Sequence, residues 1–424
     1  VLRTTFVVSS MHGGGTERVL SHMANYWVRR SWPITVLTIF HGAAPPSYAL
    51  DPRVAHRDLA FRRRPRHPMP DRHTVRALKA TFDRSSAPER RLLLRDLDLI
   101  ATLRRALRAT RPDLVISFLD VTNVRVLLAA EGLGIPVIVS ERNDPIRNTL
   151  SDGMMRLRRR VYPKAAWLVA QTAEMGAFFA AEVGERLRVI PNPVVRPPDT
   201  ASAGSRAPAT DDGRTLVAMG RLVEEKGFDV LLEAFAGLAS RHASWSLRIW
   251  GVGPEGGRLE RLARERGLGG RVSLPGFTHR PFEVLRQADL FVLPSRSEGF
   301  PNALCEAMAC GRPVVATGCS SAIREIVRDG VDGVIVPAGH AGALAAALDR
   351  LMTSAEQRAA LGARGVDVID RFSLDKTMAQ WEGIAHAAVR RPVRATDSAR
   401  MPSHLLSRLG ACQSPADAPL GAVE

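Results

Sequence analysis

The stretch SEGFPNALCEAMACG, residues 297–311, carries two carboxylates, Glu298 and Glu306, with seven residues between them. The first falls in a Gly/Pro loop and the second inside a short helical pattern. Pro301 suits a first helical position, where it has no N–H to lose. Gly311 suits the residue just past a helix end, and Pro313 prevents continuation, so the spacing predicts a helix over 301–310. The unpaired N–H groups at the start of such a helix favour an anion. Glu298 is placed to accept hydrogen bonds from hydroxyls beside that anion. Glu306 lies one turn beyond Asn302 on the same face and reaches the same place. An anion flanked by two hydroxyl-binding carboxylates describes a nucleotide sugar, with a diphosphate between a ribose and a hexose. Taken singly, each glutamate is equally well a helix-start charge or a surface residue.

A second constellation is GRLVEEKGFD, residues 220–229. Arg221 ends a strand pattern, and Lys226 with Gly227 opens a helix. Arg offers a planar fork to phosphate and Lys a point charge, so the two together can neutralise a diphosphate leaving group. Lys226 is one of only four lysines in a chain that otherwise uses arginine, which marks the choice at that position. A third is MHGGGTERV, where Gly13, Gly14 and Gly15 separate a strand from a helix. It lacks the G-x-G-x-x-G spacing of a dinucleotide site, yet it can bring bare backbone close to a phosphate or a sugar. GVGPEGG, residues 251–257, reads either the same way or as a tight strand-to-helix turn. The Asp-x-Asp pair at Asp96 and Asp98 lies within a leucine-periodic helix and reads as a helix face. With no H-E-x-x-H and no G-x-S-x-G either, we expect no catalytic metal.

These loops need elements to hold them. TTFVVSS, PITVLTIF, PDLVISFL, IPVIVSE and AAWLVAQT are short apolar runs separated by helical patterns. The alternation restarts with TLVAMGRL, SLRIWGVG, RVSLPGF, ADLFVLPS and PVVATG. Such alternation predicts βαβ units and parallel sheets. The expected class is therefore α/β, with two Rossmann-like parallel-sheet domains facing a cleft. The boundaries read as a first domain over 1–195, a Pro/Ala/Ser-rich linker over 196–213, a second domain over 214–372, a closing helix over 373–389 and a disordered tail over 390–424. Residues 62–88, rich in Arg, Pro and His, read as an exposed loop, and 89–110 as an amphipathic helix with a charged outer face. In open parallel sheets ligands bind beyond the carboxyl ends of the strands. Every Gly-rich loop here follows a strand, so the loops should face the cleft.

The charge is uneven. Of the net +16, residues 1–195 hold 31 Lys/Arg against 17 Asp/Glu, whereas 196–424 hold 28 against 26. A basic half beside a neutral half points to an anionic partner for the first half. Nucleic acid is disfavoured, because residues 53–111, the most basic segment, offer only Phe61 and Phe82 for base stacking. An anionic membrane surface remains. No run of 18 apolar residues predicts a membrane span, and VLRTTFVVSS reads as a strand rather than a leader. Cys305, Cys310, Cys319 and Cys412 lack zinc-site spacing and read as reduced thiols of a cytoplasmic protein.

GRLVEEKG followed by EGFPNALCEAMACG, after an amino-terminal GGGTERV, resembles the retaining glycosyltransferases of family 4, with the GT-B fold. The resemblance extends to about residue 389. It implies that Glu298 contacts the donor hexose and Glu306 the ribose. It further implies that Gly299 and the backbone at Phe300, Pro301 and Asn302 hold hexose and phosphates, that Arg221 and Lys226 hold the diphosphate, and that Gly13, Gly14 and Gly15 approach the donor from the other domain. The donor would be a UDP-sugar acting as substrate, with no cofactor and no metal. Many members carry a His where this chain has Arg142, in SERN. That form resembles members extending lipid-linked glycans or exopolysaccharide repeats, with Glu141, Arg142 and Asn143 at the acceptor and Arg142 available to an acceptor pyrophosphate. The implied protein is a metal-independent hexosyltransferase, peripheral on the cytoplasmic face of the cell membrane. A transferase with a soluble acceptor, a hydrolysing epimerase and a non-catalytic nucleotide-sugar binder remain alternatives.

Overall fold

The computed structural model describes residues 1–42, 44–61, 72–146, 150–198 and 214–390. Cys412, most of the linker, the tail from 391 and the arginines at 62–64 and 66 lie outside the described residues.

Two parallel sheets build the chain. The first holds β1 (Thr4–Val8), β2 (Ile34–Thr38), β3 (Ala55–Asp58), β4 (Leu114–Phe118), β5 (Val137–Ser140), β6 (Trp167–Ala170) and β7 (Leu187–Val189), in the order β3-β2-β1-β4-β5-β6-β7. The second holds β8 (Arg214–Met219), β9 (Trp245–Trp250), β10 (Val272–Gly276), β11 (Leu290–Leu293), β12 (Val314–Thr317) and β13 (Val334–Val336), in the order β10-β9-β8-β11-β12-β13. The central strands are runs rich in Val, Ile, Leu and Phe, with Thr, Ser or Ala among them, buried at every position, as in β1, β4, β5, β11 and β12. Parallel strands covered by helices on both faces must read this way. The α/β expectation of two parallel-sheet units holds. The sequence reading passed over β3, β7 and β13, all at sheet edges, where three or four residues are too few to show a period.

In both sheets the order reverses at one place, between β1 and β4 and between β8 and β11. At such a switch point the flanking connections leave toward opposite faces and open a crevice. The loops that leave β1, β8 and β11 are the three that carry MHGGG, GRLVEEK and SEGFP. The topology therefore brings those motifs together before any side chain is considered.

The carboxyl-terminal helix Leu374–Arg390 returns to the first sheet. Its Met378, Trp381, Ile384, Ala385 and Ala388 are buried in the same apolar layer as Phe6, Trp27 and Phe118. Trp27 Nε1 donates to Glu382 at 3.1 Å, and Tyr26 donates to Asp375 at 2.9 Å. The chain thus crosses between the sheets twice, and the crossings run side by side, with Val194 N donating to Phe372 O at 2.7 Å.

Two readings are corrected. Residues 72–83, taken as loop, form a helix, Arg72–Asp83. Its Thr74, Leu78 and Thr81 are buried at helical spacing beneath an Arg-rich composition that hides the pattern. The helix Ala87–Thr110 exists, opened by a capping box in which Ser86 N donates to Glu89 at 2.7 Å. Its charges, however, do not all face outward. Arg104 is buried and donates to the carbonyls of Ala129 and Glu131. Asp96 is buried between Arg125 at 2.8 Å and Arg95 at 2.9 Å, so its carboxylate is already matched by cations. No helix among the described residues is long and apolar enough to cross a membrane.

Candidate active site

The loop after β8 is fixed backbone to backbone. Gly220 N donates to Trp250 O at 2.9 Å and Leu222 N to Val252 O at 3.0 Å. A Cβ on Gly251 would lie 1.8 Å from Gly220 O, and one on Gly253 would lie 2.3 Å from Leu222 O. The glycines of GVGPEGG therefore serve this close approach. Gly227 has φ +63°, and a Cβ there would meet Pro294 O at 2.1 Å. That contact lays Lys226 beside the loop after β11, where its Nζ donates to Glu298 Oε1 at 2.6 Å. Ser295 Oγ donates to the same oxygen at 2.7 Å. A two-point bond from Arg296 to Asp229, at 2.7 and 2.8 Å, ties the loop after β11 to the helix Phe228–Ala236. Glu298 is thus buried but charge-matched, while Arg221 is exposed and its guanidinium has no hydrogen bond to a described residue.

The helix Asn302–Ala309 follows, with Pro301 at its cap rather than its first turn and Gly311 at φ +67° beyond its end. Its start faces the first half. Asn302 Nδ2 donates to Gly15 O at 3.2 Å, and Asn192 Nδ2 donates to Asn302 Oδ1 at 2.7 Å. Gln171 Nε2 and Arg142 Nη1 both donate to Asn192 Oδ1, the former at 2.7 Å. Close approach also explains three further glycines. A Cβ on Gly13 would lie 2.9 Å from the Phe277 ring, one on Gly15 3.1 Å from Asn302, and one on Gly299 2.6 Å from Arg142 O. Between the halves lies a cavity of about 780 Å³ lined by Gly13, Gly14, Gly15, Arg142, Asn143, Arg221, Lys226, Glu298, Gly299, Phe300 and Asn302. A second cavity of about 210 Å³ shares its Gly loop, Arg221, Lys226 and Glu298 and adds Pro301, Trp250 and Phe277. Cations, a helix start and a carboxylate in a cleft of that size can hold a diphosphate and a polyol.

Residues 14–193 match the family profile described as a glycosyl transferase 4-like domain, and residues 213–354 match that of glycosyl transferases group 1. The chain belongs to this glycosyltransferase family. It is 30% identical to the exopolysaccharide phosphotransferase of Streptomyces coelicolor over 94% of this chain and 42% of that protein. It is 40% identical to the putative colanic acid biosynthesis glycosyltransferase WcaL of Salmonella typhimurium over 31% of this chain and 34% of that protein. The chain therefore spans less than half the length of both relatives. Among solved structures, Anabaena HepE in complex with UDP and glucose superposes with a TM-score of 0.71 at 19% identity, covering 91% of this chain and 100% of that one. Sucrose-phosphate synthase from Thermosynechococcus elongatus gives 0.72 at 18% identity, over 90% and 98%. These neighbours establish the GT-B fold.

Two residues expected at the site of this glycosyltransferase do not line its cleft. Glu141 N still pairs with Val169 O at 2.9 Å, so the pleat of β5 continues one residue past Ser140. That pleat turns Glu141 into the core, where Tyr162 Oη and Asn123 Nδ2 donate to its carboxylate, the latter at 3.0 Å. Burial raises its pKa to about 7, with the charge of Asp120 adding to the effect. Arg142 turns to the opposite face, over Phe118 and Trp381 at 5.1 and 6.0 Å. It lines the cleft, but Nε and Nη2 are enclosed and have no partner among the described residues, and burial lowers its pKa to about 9. Glu306 is covered by Arg18, with which it forms an ion pair.

Sequence reasoning missed Arg18, Asn192 and Glu17. Glu17 lines the cleft near Arg221, and burial raises its pKa. Its place in the first turn after GGG is the signal that could have found it. Asn192, a lone amide in PNPVV, gives none. Among the described residues no group of three or more His, Cys, Asp or Glu could hold a metal ion. Burial pushes the thiols of Cys305 and Cys310 up to about 12 and 11.

Proposed function

We propose that this glycosyltransferase moves a hexose or N-acetylhexosamine from a UDP-sugar, with retention at the anomeric carbon, to a lipid-linked glycan during polysaccharide assembly. The observation that carries the reading is the Lys226–Glu298 pair beside the exposed Arg221 and the start of helix Asn302–Ala309, all in one cleft. Arg221 and Lys226 meet the diphosphate, and the helix N–H groups add a fixed positive potential. That preorganised charge stands where other transferases use a divalent metal. Glu298 exchanges part of its contact with Lys226 for hexose hydroxyls. As the bond from the anomeric carbon to the phosphate oxygen breaks, the acceptor oxygen bonds to that carbon on the same face. The acceptor proton passes to the departing phosphate oxygen, so atoms and charge balance without an enzymic base.

The names of the relatives support an acceptor from polysaccharide assembly, and the UDP and glucose bound to HepE support the donor class. The acceptor enters past Arg142 and Asn143 on the first half. The basic excess of residues 1–195 favours an anionic membrane surface on that side. The test is incubation with radiolabelled UDP-sugars in excess chelator. Slow donor hydrolysis without acceptor, and transfer to a lipid-linked glycan with it, are expected. Activity that dies in chelator and returns with manganese contradicts the mechanism, and binding without turnover makes the chain a sensor. Flotation on anionic but not neutral vesicles, weakened by salt and by changing Arg62, Arg63, Arg64 and Arg66 to Ser, tests the membrane side. Equal binding to both vesicle types favours a soluble acceptor.

A further inference from the structure

Arg18 stands between the halves. It lies in the first turn of helix Gly15–Arg29, and its Nη1 pairs with Glu306 of the helix Asn302–Ala309 on the other half. Its Nη2 also donates to Tyr48 Oη at 3.3 Å, and the guanidinium lies 4.9 Å over the Tyr48 ring. The pair is largely enclosed, with side-chain exposures of 18% and 7%. Arg18 lines both the cavity of about 210 Å³ and a gap of about 10 Å³, and Glu306 lines only the gap. A ligand in the larger cavity therefore meets Arg18 before it can meet Glu306. Neither partner is saturated. Arg18 Nε and Glu306 Oε2 are buried and have no hydrogen-bond partner among the described residues.

Enclosed opposite charges cannot part unless each is given a replacement. A nucleoside alone would offer hydroxyl donors to Glu306 and leave Arg18 stranded. Inorganic diphosphate would satisfy Arg18 and strand Glu306. A nucleoside diphosphate carries both groups on one molecule, and the cavity that Arg18 lines also holds Arg221 and Lys226. We propose that Arg18 is a donor-binding residue that works by exchange of partners: ribose hydroxyls take over Glu306 while a phosphate oxygen takes over Arg18. The inference rests on the nucleotide-sugar reading above. It adds a third cation to the diphosphate site, supplied by the opposite half, and it makes the ion pair a filter against nucleosides and free diphosphate.

Calorimetric titration of the whole chain with UDP, uridine and inorganic diphosphate tests it, with GDP and guanosine replacing the first two if GDP is the nucleotide that binds. In Arg18→Gln the nucleoside should bind up to about tenfold tighter and the nucleoside diphosphate about tenfold weaker, so their affinity ratio falls about 100-fold. An unchanged ratio overturns the proposal and leaves the nucleotide-sugar reading standing. If neither UDP nor GDP binds the wild-type chain, both fail. Should Arg18→Gln fold poorly, Arg18→Gln/Glu306→Gln replaces the ion pair by two amides. The proposal predicts the same collapse of the ratio there, and a wild-type ratio in that double variant overturns it.

Discussion

Two Ser-Glu dipeptides lie at or beyond the ends of parallel strands in this molecule, and they do opposite things. Ser140 ends β5 and Glu141 comes directly after it, sealed among Tyr162 and Asn123. Ser297 and Glu298 follow β11, and Glu298 reaches the cleft with Lys226 on its carboxylate. The difference lies in how far the ladder runs. Glu141 N still pairs with β6, whereas Arg296 N already pairs with Glu225 O of a neighbouring loop at 2.8 Å. A carboxylate still on the ladder takes whatever face the pleat assigns. One that has left the ladder faces where its loop is tied. The surroundings then set the chemistry: burial raises the pKa of Glu141 to about 7 despite the hydrogen bonds from Tyr162 and Asn123, while an ammonium lies on the carboxylate of Glu298.

The largest effect that sharpens this comparison is on turnover. Glu298→Ala should lower kcat by about 100-fold or more, as expected for losing a group that acts on the reacting sugar, with little change in melting temperature. Glu141→Ala should do the reverse, losing stability while the folded fraction keeps its kcat. Loss of turnover in folded Glu141→Ala would break the comparison, and so would full turnover in Glu298→Ala.

The next effect is on pH dependence. Folded Glu141 keeps its proton up to about 7, whereas an ordinary carboxyl releases it near 4.5. Between those values the folded chain holds a proton that the unfolded chain does not. The contribution to stability is therefore complete below about pH 4.5, declines as pH rises, and is lost above about pH 7. The decline is on the order of 3–4 kcal/mol. Chemical denaturation across that range should show it in the wild type relative to Glu141→Gln, which has no such proton. Parallel pH profiles would place Glu141 in water rather than in the core.

The smallest effect is on the bridge that sets the cleft. Asn192→Ala removes the hydrogen bond to Asn302 and should weaken donor binding by about 1 kcal/mol, seen as a rise in KM at unchanged kcat. A larger loss in kcat would mean that Asn192 touches the reacting groups.

Much of this was legible in the sequence, for identifiable reasons. The runs that become β1, β4, β5, β11 and β12 are mostly apolar and buried at every position because both their faces are covered. The motifs that follow β1, β8 and β11 lie at strand ends, so a parallel sheet alone puts them at one edge. Arg221, Lys226 and Glu298 could therefore be named together. What could not be read depends on matches between distant segments. The Arg18–Glu306 pair joins the first helix to the second half, and neither residue carries a local mark of its partner. Glu141 looked like Glu298 because a one-residue extension of the ladder has no sequence signature. The helix Arg72–Asp83 was hidden by the composition of its neighbours rather than by its own pattern, since Thr74, Leu78 and Thr81 keep helical spacing. Edge strands such as β3, with the sequence AHRD, bury too little to declare themselves.

The central claim is that Arg221 and Lys226 form the diphosphate site of a cleft for nucleotide sugars. The most direct measurement is the melting temperature of the whole chain against a panel of UDP- and GDP-sugars, repeated on Arg221→Ala/Lys226→Ala and on Glu141→Gln. A donor at about 100 times its Kd stabilises the folded state by about 2.7 kcal/mol, and the transition should rise accordingly. We expect that rise in the wild type and in Glu141→Gln, and its loss in Arg221→Ala/Lys226→Ala. A panel in which no nucleotide sugar raises the transition would contradict the account, as would a double variant that responds like the wild type.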